Sequence, residues 1–79
     1  MSDAIIHHIN ISYDESDPRV VNFIAHLKRS NEELEEYYEQ SLKEPGGRLY
    51  VSDKEGNEFT LVCNSGHNCM LTLRGMENI

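Results

Sequence analysis

Cys63, His67 and Cys69 are the residues of this chain best placed to do chemistry. They fall within RLYVSDKEGNEFTLVCNSGHNCMLTLR, and the spacing Cys63-x3-His67-x-Cys69 puts two sulfurs and an imidazole around one tight loop. His7 or His8, near the start of the chain, could add a fourth ligand and complete the Cys2His2 set that zinc accepts tetrahedrally. A structural zinc would also staple a small core. Against that reading, the spacing is not the usual C-x2-C knuckle. The plainer alternative makes Cys63 and Cys69 small core residues and His67 a solvated loop residue. A cross-strand disulfide between the two cysteines is geometrically feasible, but with two cysteines and no basic, apolar leader in MSDAIIHHINIS the expected setting is the cytoplasm, where thiols stay reduced.

Other chemistry has little footing. No G-x-S-x-G elbow, P-loop, H-E-x-x-H or dinucleotide fingerprint occurs, and only His67 lies close enough in sequence to activate either thiol. A non-enzymatic protein is expected. His7 and His8 occupy adjacent positions, so on a regular strand their rings face opposite sides and cannot share one ion. His26 reads as a helix-flank residue.

The elements that position these residues can be read from periodicity. Leu49 and Val51 alternate with Tyr50 and Ser52, and Asp53-Lys54-Glu55-Gly56-Asn57 supplies a turn. Phe59, Leu61 and Cys63 form the inward face of a second strand, and the polar loop Asn64–Asn68 leads to a third with Cys69, Leu71 and Leu73 inward. This antiparallel three-stranded meander sets Cys63 directly opposite Cys69. Residues Ala4 to Tyr13 read as one strand, with Ile5, His7, Ile9, Ile11 and Tyr13 on one face. Asp17-Pro18 is a helix start, a capping carboxylate followed by proline at N1. From there Val20, Ile24, Leu27, Leu34 and Tyr38 recur at helical spacing up to Pro45-Gly46-Gly47. Ser30-Asn31-Glu32-Glu33 fits a capping box, so the segment can be two helices, Pro18–Arg29 and Asn31–Lys43. A continuous helix is the expectation, since a surface serine costs only roughly a few tenths of a kcal/mol in a helix. Such a rod is ~39 Å long at ~1.5 Å per residue and outreaches a small sheet. It must bend, or its second half must be covered from outside. The expected fold is α+β, in the order β-α-β-β-β, with one long and possibly bent helix on a small antiparallel sheet.

Composition narrows the partners. The chain has 79 residues and a formal net charge of −7, which argues against nucleic acid and anionic membrane surfaces, both of which call for Lys and Arg. Seventy-nine residues make one domain, near the size at which a single core contributes only ~3–5 kcal/mol. Glu32, Glu33, Glu35, Glu36 and Glu39 crowd one stretch with Leu34, Tyr37 and Tyr38. The run reads either as a solvated face or as an acidic, tyrosine-bearing interface. Adjacent Tyr37 and Tyr38 cannot both enter one core stripe. The expected function is therefore a small acidic interaction or regulatory module acting as a homodimer, with Leu34, Tyr37, Tyr38, Glu35 and Glu39 at the interface. The alternatives are the zinc-stapled protein and an acidic nucleic-acid mimic that occupies a basic protein partner.

Overall fold

The computed structural model describes residues 2–74. Strands β1 (Ser2–Ile6) and β2 (Ile9–Tyr13) form a hairpin, followed by helices α1 (Pro18–Arg29) and α2 (Asn31–Leu42), a 3-10 turn at Pro45–Gly47, and strands β3 (Arg48–Ser52), β4 (Glu58–Asn64) and β5 (Asn68–Leu73). The sheet has five strands in the order β1-β2-β5-β4-β3. It is mixed: β2 and β5 run parallel, and the other three pairs are antiparallel. The fold is α+β with the expected C-terminal meander. The sheet departs from the expected four antiparallel strands.

The extra strand arises at His7-His8. Both residues take positive φ, 51° and 70°, and together they form a two-residue hairpin turn of the kind usually filled by Asn-Gly. Left-handed backbone costs roughly 1–2 kcal/mol for a residue with a Cβ. The pairs Ile6↔Ile9 and Ala4↔Ile11 that the turn makes possible offset this cost. The turn also shifts the pleat. Ala4, Ile6, Ile9 and Ile11 are buried, and Ile5 points away from the helices. The single strand Ala4–Tyr13, with Ile5 on the same face as Ile9 and Ile11, is thereby corrected.

The continuous helix is corrected as well. Ser30 sits at φ −129° and ψ 62° and serves both helices. Its N–H donates to His26 and Leu27 carbonyls, and its own carbonyl accepts from Glu33 and Leu34. The physical reason is length, because the molecule measures only 28 × 27 × 24 Å, and the break lets both halves lie on the sheet. α1 buries Val20, Phe23, Ile24 and Leu27, and α2 buries Leu34, Tyr38 and Ser41. Both pack on the inward face formed by Ile9, Ile11, Phe59, Leu61 and Leu71. At the end of the crossover, Gly47 lies so close to β4 that a Cβ there would fall 2.1 Å from the Cys63 carbonyl oxygen. Only glycine fits.

Candidate functional site

The loop that joins β4 to β5 is where four parts of the chain converge. Cys63 and Cys69 are register partners at its base, and they are joined as a disulfide. The reduced-thiol expectation is corrected here. Two inward positions directly opposed on neighbouring antiparallel strands bring their Cβ atoms within bonding reach, and both residues are buried. Among the described residues no cysteine is free.

His67 takes φ 63° in the loop. Its ring stacks on Tyr38 of α2 at 5.1 Å between centroids, and the Tyr38 hydroxyl donates to the Asn64 carbonyl at 3.0 Å. The His67 carbonyl accepts the Asn10 N–H at 2.8 Å, where the parallel β2–β5 pairing begins. His67 is exposed, yet it is a docking surface for α2 rather than a free loop side chain. His7 lies 2.8 Å from the Glu35 carboxylate, through Nε2, and His8 meets the His7 ring edge-on. The residues named for zinc thus have other partners. Cys63 and Cys69 hold each other, His67 holds Tyr38, and His7 holds Glu35. A zinc site on these four would first require reduction of the disulfide. Among the described residues no group of three or more His, Cys, Asp or Glu is gathered as a metal would need.

The five interface residues divide. Leu34 is 0% exposed and Tyr38 is buried, so a single subunit already covers both. Tyr37 packs partly against the core. Its phenol is pushed up from the usual tyrosine range by burial first, then by the Glu33 charge and a hydrogen bond to that carboxylate. Glu35 pairs with His7, whereas Glu39 is exposed and has no ion pair among the described residues. α2 does not need an outside cover. An exposed apolar feature lies on the opposite face of the sheet. β1 is the sheet edge, and its Ile5 is 77% exposed. Met70 and Tyr50 share that helix-free face and are also exposed. Strand periodicity groups Ile5 with Ile9 and Ile11 on one face, because His-His carries no turn signal.

No helix among the described residues is long and apolar enough to cross a membrane. No protein-family model matches the chain, and neither does any curated protein or any solved structure.

Proposed function

We propose that this domain is a non-enzymatic interaction module that forms a homodimer by pairing β1 with β1 of a second copy. The observation that carries the reading is Ile5, the most exposed large apolar side chain among the described residues, on an edge strand with unpaired backbone groups. β1 has few of the devices that blunt an edge. It contains no Lys, Arg or Pro, and its one charge, Asp3, is engaged by the Ser12 hydroxyl. The opposite edge, β3, carries exposed Arg48.

The sequence of β1 suits pairing with itself. An antiparallel pairing centred on Ile5 sets Ile5 against its own copy on the open face. It also sets Ala4 against an Ile6 on the helix side, so that the core row continues across the junction. The prediction is a particle of about twice the 9.1 kDa chain mass in light scattering at micromolar concentration. Ile5→Lys is expected to return it to single mass with the amide spectrum of the helices unchanged. A wild-type particle of single mass at those concentrations removes the proposal.

A further inference from the structure

A cleft of about 490 Å³ opens between α1, the first turns of α2 and the loop that joins β3 to β4. Its volume is that of an ordinary small-molecule site, roughly 300–1,000 Å³. Three of the seven Lys and Arg of a chain with net charge −7 line it: Arg19, Arg29 and Lys54.

Most of the acids around the cleft already have partners. Glu33 faces His26 Nε2 at 2.7 Å and also the Tyr37 phenol. Asp53 accepts the N–H groups of Glu55 and Asn57 and the Asn57 side-chain amide, each at 2.9 Å. Arg19 is held by Asp17. The Arg29 and Lys54 side chains have no hydrogen bond or ion pair among the described residues. The one lining carboxylate left without a partner is Glu55. Among the lining side chains this leaves two unpaired cations, Arg29 and Lys54, against the unpaired carboxylate of Glu55, beside the half-buried ring of Tyr37, while Arg29 also borders Glu32 and Glu36. The rest of the molecule is strongly acidic.

We propose that this cleft binds a small organic oxyanion, with Arg29 and Lys54 taking the anionic group and the Tyr37 ring taking a flat apolar body. A carboxylate and a phosphate monoester share that chemistry, since a guanidinium and an ammonium grip the oxygens of either. The site is separate from the β1 edge and does not depend on self-association.

Benzoate and phenyl phosphate, titrated in turn into the full chain and followed by amide chemical shifts, tell the two sources apart, with inorganic phosphate as the ring-free probe. Saturable shifts are expected at Asn22, Arg29 and the loop from Ser52 to Asn57, with one of the two aromatic probes the tighter and inorganic phosphate weaker than phenyl phosphate. The combined Arg29→Gln and Lys54→Gln variant is expected to weaken binding at least about tenfold, the loss of charge-assisted hydrogen bonds. Both side chains are exposed, so the variant should keep its fold, as its remaining shifts will report. Arg48→Gln, on the far edge strand, is expected to change nothing. Shifts that never saturate, that spread evenly over all Lys and Arg, or that survive the double variant overturn the proposal.

Discussion

Helices α1 and α2 are twelve residues each and only Ser30 separates them, yet they are held by different means. α1 carries its support in its own sequence. The Asp17 side chain accepts the Arg19 N–H at 3.0 Å, Pro18 opens the first turn, and His26, Lys28 and Arg29 stand in the last turn, where the helix dipole favours cations. α2 has no side-chain cap and no base in its last turn. Glu32 with Glu36, and Glu35 with Glu39, are like-charge pairs one turn apart, which destabilise a helix. It is fixed from outside, through Glu33 to His26, Glu35 to His7, and Tyr38 to His67 and Asn64. One helix is locally consistent, and the other is stable only where the folded neighbours meet it.

Cutting the same side chain from each helix should separate the two modes of support. Leu27 and Leu34 are each 0% exposed, and either change to Ala is expected to cost about 2–5 kcal/mol in denaturant unfolding. Hydrogen exchange should then separate them. Leu34→Ala is expected to strip protection from α2 while sparing much of α1, whereas Leu27→Ala lowers both. If Leu34→Ala opens the two helices equally, the contrast is wrong.

Reduction of the Cys63–Cys69 bond tests the anchor rather than the helix. Closing so short a loop contributes about 2 kcal/mol in the chain-entropy account. The loop it closes carries His67 and Asn64, on which Tyr38 rests. Reduction is expected to lower α2 protection more than α1 protection, and equal losses would detach α2 from this loop.

The smallest effect concerns the two caps. Asp17→Ala removes a cap bond and is expected to lower the melting temperature by roughly 4–8 °C. Ser30→Ala should change it far less, because the Ser30 side chain makes no cap bond. The same contrast has a pH signature. The hydrogen bond from the Arg19 side chain holds the Asp17 carboxyl below its ordinary value. With the folded pKa depressed, the stability it contributes is present above about pH 4 and is lost as pH falls through the folded value. The fall in melting temperature across that acid range should be shallower in Asp17→Ala, where Asp14 and Asp53 still contribute a slope, and unchanged in Ser30→Ala.

The parts of the fold that could be read directly are those whose local chemistry agrees with their tertiary role. Asp17-Pro18 is a helix start wherever it is placed, and the alternation through β3, β4 and β5 fixed their register, Cys63 opposite Cys69 included. The misread parts are those where tertiary contacts override weak local preferences. His7-His8 makes a left-handed turn without the glycine that announces one, so periodicity groups Ile5 with Ile9 and Ile11 where the structure buries Ala4 and Ile6 beside them. Ser30 breaks the helix although it gives α2 no side-chain cap, because the sheet is too short for an unbroken rod. The disulfide was discounted on compartment, although the register already brought the sulfurs together. The cleft had no signature at all, since Arg29 and Lys54 come to line one cleft only in the folded chain.

The sheet order has a consequence for biosynthesis. β5, made after every other strand of the sheet, is the central strand, with β2 on one side and β4 on the other. The amino-terminal hairpin therefore waits through translation of both helices and two further strands before the slot beside it is filled. Until then its isoleucines have no sheet to join. The vectorial order of synthesis and the spatial order of assembly run against each other, and the domain must complete itself in one late step.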